Sequence, residues 1–174
     1  MDIKKPVKSL YIEDESKLII AGQCAYMESN KWYDVSNMLD SSYDSQKYIC
    51  LLLSCELYLK SILMFNNTNV TKGNYKHDLY KMYRDIPPEN QEEIKESVIV
   101  DKYIGVPIIE KIKQFESFED ELKFIANDFI NTRYEYEKYV NGYQIYLLLD
   151  FVMGLAKILL KICKKYMQNS TENV

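Results

Sequence analysis

Three places in the sequence put ionisable side chains where apolar ones are expected. Glu56 and Lys60 stand four apart inside the run YICLLLSCELYLKSILMF, which is otherwise almost wholly apolar. With the Glu nearer the N-terminus, that spacing puts both side chains on one helical face, where they can pair. Either the pair lies on a narrow solvated strip, or it is buried and positions another group, because an unpaired buried charge costs too much. The second place is Arg133 with Glu137. Extending the apolar stripe Ala126, Phe129, Ile130 by one turn reaches Arg133 and then Glu137, with Tyr134 and Tyr136 beside them as stacking surfaces. A planar guanidinium suits bidentate recognition of a carboxylate or phosphate, and it can equally tie Glu56 or Glu137 across helices. The third place is His77 in GNYKHDL, the single histidine. Its unperturbed pKa suits proton transfer near neutral pH, and a capping or packing role is the alternative.

The standard local motifs are missing. The sequence has no phosphate-binding GxxxxGK[ST] loop, no GxGxxG, no GxSxG, no HExxH and no EF-hand loop. One histidine and four cysteines, at 24, 50, 55 and 163 with no CxxC, give too few ligands for a zinc site. No metal or cofactor is therefore expected, and any chemistry is metal-independent or comes from a constellation with no standard local motif. The cysteines read as small buried hydrophobes of a reducing, cytoplasmic compartment.

The elements that position these residues are helical. A chain of 174 residues, 47% hydrophobic and 28% charged, suits one globular domain. Its balance of 22 Lys and Arg against 26 Asp and Glu disfavours a surface coated by nucleic acid, while leaving room for a local basic site. Helices are expected over about 14–39, on a stripe of Leu18, Ile19, Ala25, Trp32, Val35 and Leu39, and over 45–65, apolar nearly all round and so central. A polar loop, 66–75, leads to a short helix over 77–85, and Pro88 opens another. Residues 98–108 read as extended or as a short helical turn. Ser117-Phe-Glu-Asp120 has the form of a capping box opening a helix to about 139, with Phe118, Leu122, Ile125 and Phe129 facing inward. A last helix covers 143–167, and the polar tail 168–174 is expected to fray. Two apolar runs, 48–65 and 143–163, carry central charges (Glu56 and Lys60; Asp150, Lys157 and Lys161), so they suit buried bundle helices better than membrane spans. No hydrophobic leader follows the basic N-terminal residues. The whole chain, 1–174 with a core of about 14–167, is expected to be one all-α up-and-down bundle of four to five helices.

The segments CELYLKSIL (55–63), KHDLYKMY (76–83) and FINTRYEYE (129–137), in that order, resemble the HEPN domain superfamily, and more narrowly its prokaryotic members with an ExxLK helix, an HDL segment and an RYxYE helix. The resemblance spans about residues 14–167. It implies a four- or five-helix bundle, commonly a homodimer, in a toxin–antitoxin, abortive-infection or other antiviral defence setting. Many such proteins are metal-independent endoribonucleases that use an Arg followed four to six residues later by His, paired across the dimer. Arg133 matches the Arg, but Tyr134 to Val140 contain no His. The resemblance thus implies a non-catalytic module for RNA, a nucleotide or a cognate antitoxin or other partner protein, with Glu56, Lys60, His77, Arg133, Tyr134 and Glu137 as its polar cluster. Two alternatives stand beside it: an endoribonuclease toxin in which His77 serves with Arg133, and a scaffold whose cluster only fixes helix register. The 16 tyrosines suit an interface.

Overall fold

The structure, a computed structural model, describes residues 15–70, 75, 77–103, 117–132 and 142–172. Among them are six α-helices and no strand: α1 Glu15–Met38, α2 Asp44–Phe65, α3 Leu79–Asp85, α4 Pro88–Tyr103, α5 Phe118–Thr132 and α6 Gly142–Glu172. A 3-10 turn, Ser41–Tyr43, leads into α2 and is capped by Asp40, whose carboxylate accepts from the Ser42 N–H at 2.8 Å. The all-α bundle read from the sequence is what forms.

Helix α2 is its axis, with Leu51, Leu52, Cys55, Tyr58, Leu59, Ile62 and Leu63 all essentially inaccessible. Among the described residues, Ser41–Phe65 is the one stretch long and apolar enough to cross a membrane, and 72% of its apolar window is buried inside the bundle. Helix α1 runs antiparallel to α2: Ser61 Oγ donates to the Gly22 carbonyl at 2.8 Å and Tyr58 Oη to Asn30 Oδ1 at 2.7 Å. Helix α6 runs parallel to α2, with Cys55 Sγ on the Val152 carbonyl near one end and Asn66 Nδ2 on Tyr166 Oη at the other. Helix α4 returns antiparallel to α6, Asn90 Nδ2 donating to the same Tyr166 Oη at 2.8 Å. The short α3 and α5 close the side of the bundle through Tyr83, Phe118 and Phe151, whose rings meet at 5.3 and 5.5 Å.

The contact face of α1 differs from the expected stripe. Leu18 is buried, but Ile19 and Val35 are exposed, and the residues against the core include Gly22, Ser29 and Ser36, seven apart. Small side chains let α1 approach α2 closely; a Cβ on Gly22 would meet Met64 Cβ and the Ser61 carbonyl at 3.4 Å. Both serines bury their hydroxyls without penalty, each donating at 2.6 Å to a carbonyl of the preceding turn, Tyr26 and Tyr33.

Several boundaries also move. Residues 98–103 continue α4, while 104–108 lie outside the described residues. The serine half of the expected capping box is present, the Asp120 N–H donating to Ser117 Oγ at 3.1 Å, while the Asp120 carboxylate accepts from the Ser117 hydroxyl at 2.8 Å. Helix α5 is described to Thr132; its expected continuation to 139 and the side chain of Phe129 fall outside. The tail expected to fray from 168 instead extends α6 to Glu172, where Ser170 Oγ bonds the Met167 carbonyl and receives Gln23 Nε2 from α1. All four cysteines are free thiols; Cys50, Cys55 and Cys163 are buried as expected, but Cys24 is exposed.

Candidate functional site

The sequence pairs Glu56 with Lys60 on α2, and the fold buries the carboxylate: Glu56 is 3% exposed. The solvated-strip reading is therefore wrong for Glu56, because α3 and the chain leading into it cover this face of α2. Lys60, one turn on, donates to Glu56 Oε1 at 2.5 Å, and its side chain keeps 23% of its surface in water. His77 comes in from that leading segment and places Nδ1 2.8 Å from the same Oε1. Glu56 Oε2 is buried and has no hydrogen-bond partner among the described residues. The carboxylate thus pays a desolvation cost that its two contacts through Oε1 offset.

His77 is held from both sides along the chain. Two residues before it, Tyr75 is buried and donates its hydroxyl to Asp85 Oδ2 at 2.9 Å. Burial, together with the Asp85 carboxylate, pushes the Tyr75 phenol up to about 12, so it remains a donor across the physiological range. One residue after His77, Asp78 caps α3, its Oδ1 accepting from the Lys81 N–H at 2.9 Å, and its own N–H returns to the Tyr75 carbonyl at 2.7 Å. Between these anchors His77 adopts φ 69°, the left-handed region that few residues other than glycine enter. That turn points the imidazole back at α2. The sequence shows the His-Asp-Leu segment but not the parts played by Tyr75 and Asp78; an Asp just before a short amphipathic run was the available N-cap signal.

Chemically, the cluster offers an ammonium with two further N–H donors and an imidazole whose Nδ1 is committed to a buried carboxylate. That contact orients the imidazole ring through Nδ1. The side chain of His77 is 40% exposed, so a ligand can reach it. Nucleophilic thiol chemistry is disfavoured here: burial pushes the Cys50, Cys55 and Cys163 thiols up, keeping them protonated near neutral pH. Among the described residues no three His, Cys, Asp or Glu side chains converge as a metal site.

Of the six residues singled out in the sequence, the structure thus brings together Glu56, Lys60 and His77. Arg133, Tyr134 and Glu137 lie outside the described residues. Compared with protein families, with curated proteins and with solved structures, the chain finds no match.

Proposed function

We propose that this chain is a HEPN-like module that binds RNA or a nucleotide without cleaving it, in the cytoplasm of a prokaryote and in a defence or toxin–antitoxin setting. The observation that carries the reading is the buried Glu56 carboxylate holding Lys60 and His77 side by side at the surface. A ribose-phosphate ligand fits these groups: the ammonium contacts phosphate oxygen, and the imidazole bonds a sugar hydroxyl. In this reading Arg133 supplies the planar bidentate contact to phosphate, with Tyr134 as a stacking surface and Glu137 as its orienting carboxylate. Four unpaired thiols favour a reducing compartment.

The second reading is a metal-independent endoribonuclease, favoured by the Glu56–His77 contact, since a carboxylate-held imidazole can take the proton of a 2′-hydroxyl through Nε2. One experiment separates them. Total and transfer RNA are incubated in EDTA with the wild type, Arg133→Ala and His77→Ala, and binding of the same RNA is measured in parallel. Intact RNA with binding weakened in both variants supports the module. Cleavage lost in both variants replaces it with the nuclease. Full binding in both variants removes this site from the function and leaves the scaffold.

The homodimer belongs to the same proposal. Ile20, Cys24, Met27, Val35 and Met38 form an exposed, largely apolar stripe on α1, with Met38 82% exposed. Glu28 and Lys31 stand at its middle, 2.7 Å apart and both in water. An antiparallel second copy of α1 centred between residues 29 and 30 brings each Glu28 to the other Lys31, so the stripe is self-complementary. Molar mass from light scattering tests this: a dimer that Met27→Glu converts to a monomer supports it, and a monomeric wild type refutes it.

A further inference from the structure

Helix α6 carries a second feature that the Glu56–Lys60–His77 site does not use. Lys157, Lys161, Lys164 and Lys165, with Leu160 and Gln168, line a shallow depression of about 400 Å³ along its outer face. From Phe151 to Thr171 the sequence has no acidic residue, so these four lysines are the only formal charges in that stretch. Their removal would leave 18 cations against 26 anions elsewhere, a balance of −8 in place of −4. These four lysines therefore form a local cationic patch on a chain whose net charge is −4.

Two structural roles fall short of explaining it. Lysines complement the helix macrodipole only within the last turn, and the last turn of α6 contains none. Glu93 on α4 pairs with Lys165 at 2.8 Å and with Lys161 at 3.1 Å, and those contacts, the Lys165 bond foremost, hold its carboxyl below the usual range. That accounts for two lysines. Among the described residues Lys157 and Lys164 have no acidic partner, so four ammonium groups face one carboxylate.

The layout selects the kind of anion. Lys157, Lys161 and Lys165 succeed one another every four residues, a rise of about 6 Å each. Spread in a line, they cannot converge on one phosphate, but they can follow an extended chain of phosphates. An anionic bilayer fits poorly, because a membrane-surface helix pairs its lysines with aromatic or leucine anchors. Here the only apolar lining residue is Leu160, half-covered by the fold.

We propose that the outer face of α6 is a backbone contact for single-stranded RNA, tracking successive phosphates without reading bases. This rests on the RNA reading above and deepens it, naming a strand rather than a mononucleotide as the ligand. The test is fluorescence anisotropy of a labelled oligouridine over a salt series, using the wild type, Lys157→Gln/Lys164→Gln and Lys60→Gln, each shown by circular dichroism to be folded at the assay temperature. Among the described residues Lys157 and Lys164 make no ion pair, so the double variant breaks none of the ion pairs described above. The expected result is weaker binding by the double variant at low salt, with the slope of log K against log salt reduced by about 0.7 per lysine, or roughly 1.4 in all. An unchanged slope in the double variant beside lost binding in Lys60→Gln overturns this proposal and leaves the RNA reading standing. No binding by the wild type overturns both. Competition by uridine monophosphate as effective as by the strand also overturns it, as does lysine-dependent sedimentation with phosphatidylglycerol vesicles in place of RNA binding.

Discussion

Replacing Lys60 with methionine is expected to harm the fold more than replacing Glu56 with leucine, although each change deletes one end of the same ion pair. In Lys60→Met the Glu56 carboxylate stays 3% exposed with Oε2 unpartnered, and loses the closer of its two contacts. A half-broken buried pair of this kind costs about 3–5 kcal/mol. In Glu56→Leu the groups left behind are Lys60 and His77, with side chains 23% and 40% exposed, and both can turn into water. That variant loses two charge-assisted hydrogen bonds, about 1.5–3 kcal/mol each, but also removes the buried orphan oxygen, which returns about 1–3 kcal/mol. Its net cost is therefore between about 0 and 5 kcal/mol, centred near 2.5 kcal/mol. The double variant removes both charges from the apolar helix and is expected to be no worse than Glu56→Leu, so the coupling is at least the Lys60→Met cost, about 3 kcal/mol or more. Urea unfolding followed by circular dichroism measures all three, and the corresponding melting temperatures fall by about 2–4 °C per kcal/mol for a chain of this size. Additive losses in the double variant, or a Glu56→Leu loss exceeding that of Lys60→Met, would refute the claim that Glu56 is a buried anion held by its partners.

Gly22→Ala is expected to be neutral or to stabilise by up to about 1 kcal/mol, since a methyl group meets α2 at ordinary contact distance and alanine is the better helix former. Gly22→Val instead pushes further atoms against Met64 and the Ser61 carbonyl and is expected to cost about 1–3 kcal/mol in the same urea assay. Equal effects of the two would show that α1 does not approach α2 this closely. Alkaline pH gives a third test. Burial holds Tyr75 up to about 12, with help from Asp85, and holds Tyr83 up to about 12, with help from Glu119 and Glu92, against an ordinary value of 10.0. Their folded-state values are raised, so the unfolded chain releases these protons first. Their contribution is complete below about pH 10 and falls by roughly 1.4 kcal/mol per unit per tyrosine as pH rises towards about 12. A urea midpoint that stays flat across that interval would contradict it, and Tyr75→Phe should make the decline shallower.

The bundle was legible because its signals are large and local. Leu51, Leu52, Leu59 and Ile62 on α2 and Val152, Leu155 and Leu159 on α6 are apolar residues that sit where their periodicity puts them. On α1 the same reasoning misplaced the face: it searched for bulk, whereas Gly22, Ser29 and Ser36 make the contact by being small. Ile19 and Val35 then look inward in the sequence and are exposed in the fold. The Glu56–Lys60 pair could be read from spacing alone, but its burial could not, since that depends on α3 and on the chain before it crossing α2. Of the lysines on α6, Lys157 and Lys161 enter the sequence reading only as charges that spoil a membrane span, and Lys164 and Lys165 do not enter it. Their spacing, and the missing acids around them, carried the further signal.

His77 ties these strands together. A non-glycine residue at φ 69° costs on the order of 1 kcal/mol or more, and such a conformation persists only where the surroundings determine it. Here Tyr75 is anchored by Asp85 on one side, Asp78 caps α3 on the other, and Glu56 receives the ring between them. If this turn served only to start α3, the Asp78 cap alone would satisfy its first N–H groups, and a glycine at 77 would adopt the same backbone without strain. The strain is accepted at a position where the imidazole reaches a buried carboxylate that also holds an ammonium. Its consequence is a histidine oriented through Nδ1, with its ring partly in solvent beside Lys60. Register alone does not require that arrangement, because apolar side chains of similar size would fix α3 on α2 without burying a charge. Under the proposed ligand-binding reading, the imidazole is what this turn presents, and the strain at His77 is the cost of presenting it.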